Sequence, residues 1–276
     1  MDASLPGDAI ARAHDRWRRA MHAPALSRRS AAVNAAFLLP HLRPGISLLD
    51  LGCGPGSITA GLAEAVAPGT VTGLDINPSV IASARAAHGG PVGLSFTIGD
   101  AGALPFADAT FDAVFAHALL QHAHSPIAVL REAFRVLRPG GVIGVADADH
   151  GGSLLAPETP ALRASLDLAV RVQALRGGDA HVGRSLGILL AEAGFKDIAV
   201  SVAAGCDGTA AVRARAAEHQ AALISGEPFV AFVEAAGLET RAGLAAMAGA
   251  WRTWATVPGA AWTRWWFQAV ARREPG

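Results

Sequence analysis

The chain alternates short apolar runs with longer amphipathic stretches over its first 150 residues. Each apolar run is short, is bounded by turn residues and predicts a buried strand. These strands are expected at 46–51, 71–76, 94–100, 111–117 and 142–146. The stretches between them predict helices, expected at 57–67, 78–88 and 125–137. Alternation of this kind predicts a parallel sheet with helices on both faces.

The rhythm changes after residue 150, where Gly151-Gly152 opens a loop. Helices are expected here and at the N-terminus, at 8–22, 27–40, 158–176, 183–193, 209–224 and 227–250. Further strands are expected at 198–202 and 263–271. The predicted fold is α/β: a doubly wound, Rossmann-like, mostly parallel seven-stranded sheet with N-terminal helices and a helical insertion before the last strand. The predicted domains are an N-terminal cap, a core, an insertion or lid, and a last strand with its tail, at 1–40, 41–205, 206–262 and 263–276.

A glycine turn follows the first strand, in the sequence Leu49-Asp50-Leu51-Gly52-Cys53-Gly54-Pro55-Gly56. Glycine removes side chains where a ligand would approach the backbone. The G-x-G-x-G spacing differs from the G-x-G-x-x-G of dinucleotide folds. Asp50 precedes the turn and would disfavour a diphosphate while favouring an ammonium group. The turn predicts a site for a nucleoside with an amino-acid tail, and a purely structural turn stays open as the alternative.

Acidic residues also close the later strands, at the edge where parallel sheets bind ligands. Asp75 follows the glycines at the spacing of an acid that accepts both ribose hydroxyls, although it could instead cap a helix. Asp100 could accept from the exocyclic amine of adenine, and the amide of Ala101 could donate to a ring nitrogen. His117 and Asp147 end the fourth and fifth strands. We expect these side chains to converge on one ligand.

These residues resemble class I S-adenosylmethionine-dependent methyltransferases, in the group similar to ubiquinone/menaquinone C-methyltransferases and natural-product sugar O-methyltransferases. The resemblance covers about residues 40–150. Besides the glycine turn, its carriers are Gly73-Leu74-Asp75, Gly99-Asp100-Ala101, Leu104-Pro105-Phe106, Phe111-Asp112 and Arg135-Val136-Leu137-Arg138-Pro139-Gly140-Gly141. It implies S-adenosylmethionine as the cofactor.

The resemblance also implies a cofactor site at the matched positions. Its residues are Asp50, Gly52, Gly54, Gly56, Asp75, Ile76, Asp100, Ala101 and His117. The acid and glycines of the turn would hold the methionine end. Asp75 would bind the ribose, and Ile76 would pack on adenine. Asp100 and Ala101 would read the adenine edge, while the backbone carbonyl of His117 would lie near the amino group.

Methyl transfer is an in-line displacement in which positioning supplies much of the rate, and a hydroxyl acceptor benefits from a base. His122 is the first base candidate because it follows the fourth strand. Asp147 is the second, since an acid at this place assists the acceptor in similar sugar methyltransferases, and His150 is the third. Packing or surface roles stay open for all three. Some relatives carry paired histidines where this chain has Gln121-His122.

The amino-acid composition limits the classes of partner that this protein is expected to bind. Apolar residues make up 51% of the 276 residues, which is enough for a sizeable core. The 23 basic and 23 acidic residues balance, so nothing indicates nucleic acid. No apolar run long enough to span a membrane appears, and the two cysteines suggest packing residues in a reducing compartment. Nor does any spacing of histidines and acids suggest a metal set. We expect a cytoplasmic protein that acts on a small molecule.

Two questions stay open at this point. Five tryptophans could line an aromatic acceptor pocket, or could pack the insertion on the sheet or bury a homodimer contact. They are Trp251, Trp254, Trp262, Trp265 and Trp266. A cofactor-binding regulator or scaffold, and an enzyme that uses the bound sulfonium for a rearrangement, are the alternatives to a methyltransferase. An NAD-dependent oxidoreductase is disfavoured by Asp50 and by the glycine spacing.

Overall fold

A computed structural model describes residues 29–90 and 92–275. Seven strands are present in this part of the chain. They are β1 Ser47–Leu51, β2 Thr70–Asp75, β3 Leu94–Ile98, β4 Phe111–His117, β5 Leu137–Ala156, β6 Lys196–Cys206 and β7 Ala261–Arg272. They form one sheet in the order β3-β2-β1-β4-β5-β7-β6. The pairs β1/β2, β2/β3, β1/β4 and β4/β5 are parallel, which confirms the predicted fold class.

Helices alternate with the parallel strands and then accumulate before β7. Their bounds are α1 Ala31–Asn34, α2 Ser57–Val66, α3 Pro78–His88, α4 Pro126–Val136, α5 Pro160–Leu175, α6 Leu186–Glu192, α7 Ala210–Ser225, α8 Glu227–Ala235 and α9 Arg241–Thr256. Short 3-10 turns cover Leu39–His41, Leu120–His122 and Val182–Ser185. Side chains cap several helix starts, as where Asn77 and Ser125 accept from the amides of Ser79 and Ala128.

The described chain divides into two compact units, and the first contains the parallel sheet. This sheet unit comprises residues 29–149, 177–203 and 266–275 of the described chain. Its strands bury both faces, because alternate residues enter different clusters. Leu49 of β1 and Val114 of β4 belong to one cluster, and Leu48 and Phe115 belong to another. The two-sided burial explains why these strands appear in the sequence as continuous apolar runs.

The second unit, which we name the helical unit, comprises residues 150–176 and 204–265 of the described chain. Its core is one cluster built mainly from α5, α7, α8 and α9, with Leu155 of β5 and Trp262 of β7. The cluster contains three tryptophans, Trp251, Trp254 and Trp262. The indole N–H of Trp251 donates to the Ser165 hydroxyl at 2.9 Å, and that of Trp254 donates to the carbonyl of Ala156 at 3.2 Å. These three tryptophans are therefore packing residues of the unit.

Some expectations about single elements are wrong. The predicted helix 8–22 lies outside the described residues. Over 27–40 the described part is only the short α1 and a 3-10 turn, in place of one helix. Leu38 is fully buried and leaves no room for a side chain at Gly144. Val33, by contrast, lies on the outer side of α1 and is 71% exposed, whereas Ala31 is the buried residue of this helix.

The predicted helix 227–250 is two helices, α8 and α9. Gly237 adopts φ +63° between them, a left-handed conformation that ends α8. Cys206 is exposed at the end of β6, although the sequence suggested a packing role. No helix in the described ranges is both long and apolar enough to cross a bilayer. The proposed boundaries 1–40, 41–205, 206–262 and 263–276 stay predictions.

We predict that Ser165→Ala destabilises the protein by about 1–3 kcal/mol, because it leaves the buried N–H of Trp251 without its acceptor. Urea unfolding measures the loss. Ser201→Ala, at an exposed position on β6, is the matched control and should change little.

The same change in a Trp251→Phe background should cost clearly less, since phenylalanine has no N–H to satisfy. Equal losses in both backgrounds would mean that the hydrogen bond contributes nothing.

Candidate cofactor site

The glycine turn joins β1 to α2 in the sheet unit. Gly52, Gly54 and Gly56 have φ values of +68°, +55° and +84°, which other residues rarely adopt. A side chain at Gly56 would meet the Phe96 ring at 2.8 Å, whereas nothing lies within 4 Å of the same position at Gly54. The amides of Gly52 and Cys53 donate to the Leu74 carbonyl at 2.7 and 3.0 Å. The turn is thereby fixed against the end of β2.

Asp50 lies beneath this turn and is 3% exposed. The Thr59 hydroxyl donates to its carboxylate at 2.6 Å. Burial raises the pKa of Asp50 to about 7; the Thr59 hydrogen bond opposes that shift and the charge of Asp75 adds to it. Burial, followed by the charges of these two acids, also raises the pKa of the Cys53 thiol. The ionisation of the buried Asp50 carboxyl therefore depends on the groups that contact it.

A cavity of about 360 Å³ opens at the carboxyl edge of the sheet unit. It is lined by Gly52, Leu74, Asp75, Ile76, Gly99, Asp100, Ala101, Gly102, Leu119, His122, Ala123, His124, Ser125, Ala128 and Val129. Five residues predicted for the cofactor thus lie around one space. The others, Asp50, Gly54, Gly56 and His117, are not among its lining residues.

Two strand-end carboxylates in this cavity are oriented by backbone amides. Asp75 accepts from Gly54 at 3.1 Å and from Asn77 at 2.9 Å, which connects it to the glycine turn. Asp100 accepts from the Gly102 amide at 2.8 Å. Between them, Ile76 is 60% exposed, an unusual state for a large apolar side chain. Its place on the cavity wall fits a flat apolar ligand group.

His117 ends β4 outside the cavity and is 8% exposed. Its ring stacks on Trp266, with 4.7 Å between ring centroids. Its Nε2 lies 3.2 Å from the side-chain nitrogen of Asn34, and its Nδ1 lies 3.4 Å from Arg29. Burial, aided by the Arg29 charge, lowers the pKa of His117 to about 3, so the ring is neutral. The sequence offered no signal for these partners.

Asp147 supports the turn that carries His122. Its carboxylate is fully buried and accepts from the amides of Leu120 and Gln121, at 2.9 and 3.4 Å. Burial raises the pKa of Asp147 to about 7, against the effect of these amides and of the Arg29 charge. His122 itself lines the cavity. His150 is exposed and belongs to the helical unit.

Several cavity residues escaped the sequence interpretation. His124 lines the cavity, as do Leu119 and Val129. The position of Val129 could have been found, because it lies on the buried face of the amphipathic helix α4. Loop residues such as Leu119 follow no period, so no sequence pattern marked them.

The class that this geometry defines is a nucleoside-binding domain of the Rossmann-like type. Residues 49–145 match the family described as "Methyltransferase domain". This part of the chain is a class I S-adenosylmethionine-dependent methyltransferase domain, and S-adenosylmethionine is its cofactor. The predicted family and cofactor are thus confirmed.

Relatives support this assignment over part of their length. An uncharacterized methyltransferase of Schizosaccharomyces pombe is 32% identical over 55% of this chain and 57% of its own length. Demethylmenaquinone methyltransferase of Lactococcus lactis is 39% identical, over 38% of this chain and 43% of its own. Fatty-acid O-methyltransferase of Mycolicibacterium smegmatis is 43% identical, over 38% of each. The matched region therefore spans about half or less of these relatives.

Solved structures share the fold more widely. The (4+2)-cyclase SpnF is 24% identical with a TM-score of 0.53, and the match covers 91% of this chain and 85% of that one. Phosphoethanolamine N-methyltransferase 2 of Haemonchus contortus is 18% identical with a TM-score of 0.56, over 88% and 53%. At these identities, the likeness concerns the fold.

We predict that Gly56→Ala destabilises the protein clearly more than Gly54→Ala. Both variants place a side chain at a left-handed φ, which costs about 1–2 kcal/mol. Only Gly56→Ala also forces a contact with Phe96. Thermal unfolding of the two variants side by side tests this, and equal melting temperatures would contradict it.

We also predict that the free energy of unfolding falls as pH rises from about 4 to about 7. Over this window folded Asp50 keeps a proton that the unfolded chain has lost, so the folded state binds more protons. Above about pH 7 both states are ionised and the decline stops.

Asp50→Asn should make this decline shallower, because Asp147 still lowers stability as pH rises while the lowered pKa of His117 acts in the opposite direction. Urea unfolding at pH 5 and pH 8 measures the difference. Asp167→Asn, the same change at an exposed site, is the control and should reproduce the wild-type pH dependence. An unchanged decline in Asp50→Asn would contradict the buried, protonated carboxyl.

Proposed function

We propose that this protein transfers a methyl group from S-adenosylmethionine to a small-molecule acceptor. The observation that carries the proposal is the cavity, where Asp75, Ile76 and Asp100 surround one space beside the glycine turn. Its volume of about 360 Å³ falls in the range of small-ligand clefts, about 300–1,000 Å³. The open position at Gly54 adds room next to Asp75.

The residues present fit the cofactor. Asp75 has two carboxylate oxygens at a strand end for the ribose hydroxyls, and Ile76 offers an apolar surface for adenine. Asp100 and the amide of Ala101 match the adenine edge. Asp50 and the glycine turn would hold the methionine end, and the carbonyl of His117 would face its amino group. When bound, the cofactor supplies an electrophilic methyl group.

The protein would contribute alignment and, for a hydroxyl acceptor, a base. We propose His122 for that role, because it borders the cavity. Asp147 would act by holding the 120–122 turn, since its oxygens already accept two backbone amides. His150 remains the third candidate.

A small-molecule acceptor is supported by the relatives, whose names specify a demethylmenaquinone and a fatty acid. The balanced charge of this chain gives no reason to expect nucleic acid. A different reaction in the same site is the second candidate, because the structural neighbour SpnF is named a cyclase. Labelled methyl transfer separates the two.

We predict that wild-type protein binds S-adenosylhomocysteine and that Asp75→Ala weakens this binding by about tenfold or more, through loss of the charged acceptor. Titration calorimetry measures both. Asp167→Asn, an exposed acid on α5, is the control. A folded wild-type protein that produces no heat with this nucleoside would overturn the proposed function.

Transfer itself is tested with tritium-labelled S-adenosylmethionine and a panel of phenols, carboxylic acids and amines. His122→Gln should retain S-adenosylhomocysteine binding and lose transfer to hydroxyl acceptors. Formation of an unlabelled product, without release of S-adenosylhomocysteine, would favour the cyclase-like alternative instead.

A further inference from the structure

The helical unit contains a buried arginine that the proposed function does not use. Arg213 lies near the start of α7 and is 8% exposed. Arginine is almost never buried to this extent unless an acid compensates its charge. None of the ion pairs found over residues 29–90 and 92–275 includes Arg213. Within those ranges, the charge of this side chain therefore has no acidic partner.

The guanidinium of Arg213 uses only one of its edges. Its Nη1 donates to the Gly208 carbonyl at 2.7 Å, whereas its Nε is enclosed and has no hydrogen-bond partner. Nε and Nη2 form another edge of the planar group, and this edge matches the two oxygens of a carboxylate. Three other arginines donate from Nε and Nη2 to one carboxylate each; they are Arg135, Arg184 and Arg252. No side chain of the described residues takes that position against Arg213.

A second enclosed donor belongs to a tryptophan of the same unit. Trp262 of β7 is 5% exposed, and its indole N–H also has no hydrogen-bond partner. The N–H groups of Trp251 and Trp254, by contrast, donate to Ser165 and to the carbonyl of Ala156. A buried N–H without an acceptor is unfavourable, because its lost hydration is not replaced. Packing alone therefore does not explain the polar atom of Trp262.

Hydrogen bonds connect both residues to adjacent positions, 207 and 208. The Asp207 amide donates to the Trp262 carbonyl at 2.8 Å, and Gly208 supplies the carbonyl that Arg213 contacts. The Arg264 guanidinium lies 4.7 Å from the centroid of the Trp262 ring and donates to the Asp207 carboxylate at 2.5 Å. Asp207, Arg213, Trp262 and Arg264 are named here the Arg213 cluster. All four belong to the helical unit.

The formal charges of the Arg213 cluster favour an anion. The one carboxylate, that of Asp207, is paired with Arg264, so the positive charge of Arg213 is left over. Water could accept hydrogen bonds from the enclosed donors, but it would not compensate this charge. The cluster extends to the surface, because Arg264, Gly208 and Thr209 are exposed. A ligand can therefore approach it from that side.

We propose that Arg213 and the indole N–H of Trp262 bind an oxyanion of a ligand, either a carboxylate or a phosphate group. The Nε and Nη2 edge of Arg213 donates two hydrogen bonds to the oxyanion, and the indole donates a third. The helical unit thereby selects acidic ligands over neutral ones of the same shape. The inference goes beyond the proposed function and does not rest on it, because every residue of the cluster belongs to the helical unit.

The indole N–H resonance of Trp262 provides a direct readout. In proton–nitrogen correlation spectra of the full chain, it is identified by its absence in Trp262→Phe. Titration with sodium benzoate or inorganic phosphate, with ionic strength held constant by sodium chloride, should shift this resonance until it saturates. The indole resonances of Trp251 and Trp254 should move less, because their N–H groups already have acceptors. Benzamide has the same ring without the charge and should have little effect.

Two variants test the donors separately, with affinities measured by calorimetry. Arg213→Gln keeps a donor for the Gly208 carbonyl but removes the charged edge, so oxyanion affinity should fall by about tenfold or more. Trp262→Phe removes the indole N–H and should weaken binding by about threefold to tenfold. Arg215→Gln, at an exposed arginine of the same helix, is the matched control and should bind as wild type does. Thermal unfolding in chloride establishes that each variant is folded.

A preference for benzoate would indicate a carboxylic acid as the ligand, and a preference for phosphate would indicate a phosphate ester; both support the inference. It is overturned if neither anion shifts the Trp262 resonance, or if benzamide or chloride shifts it as much. Unchanged oxyanion affinity in Arg213→Gln and Trp262→Phe also overturns it. If Arg213→Gln does not fold, the affinity of Trp262→Phe decides the outcome.

Discussion

The parallel register of β1 between β2 and β4 determines where the candidate ligand residues lie. Asp50 is opposite Gly73 on one side and Phe115 on the other. This register brings Asp75, Asp100 and the glycine turn to one edge of the sheet. It also requires glycine at position 73, because a side chain there would meet the Phe96 ring at 2.8 Å and Cys53 at 3.0 Å. The packing of the strand ends therefore determines where the candidate ligand-binding residues lie.

Buried acids are the second constraint on this edge. Asp50 and Asp147 are both removed from water, and burial raises the pKa of each to about 7. Their partners differ, since Asp50 accepts from a hydroxyl and Asp147 accepts from backbone amides. In the first arrangement, a cationic ligand group could stabilise the ionised form of the Asp50 carboxyl. The second holds a turn in place. The same loop contains Leu119 and His122, so Asp147 connects β5 to the cavity wall.

The sequence allowed the sheet and much of the cavity to be predicted, because both follow from periodic patterns and strand ends. Asp75, Ile76, Asp100 and Ala101 line the cavity together, as their positions at strand ends indicated. Helix continuity was harder to judge, since one left-handed glycine, Gly237, divides a stretch that is helical by composition.

The residues that surround the His117 ring could not have been anticipated from the sequence. Arg29 and Trp266 come from opposite ends of the described chain, and only the folded sheet brings them to His117. Neither belongs to a motif, and the tryptophan was indistinguishable in the sequence from Trp251 and Trp254, which are packing residues of the helical unit. Long-range polar contacts of this kind depend on tertiary packing, which local patterns do not encode.

The contrast between the two cysteines has a practical consequence. Cys53 is buried beneath the glycine turn, where its thiol resists ionisation, while Cys206 is exposed at the end of β6. The thiolate is the reactive form, so a maleimide dye should couple to Cys206 selectively. With these the only two cysteines in the chain, a single fluorophore or spin label can be placed without mutagenesis. Such a probe would report on conformational change from a position outside the sheet unit.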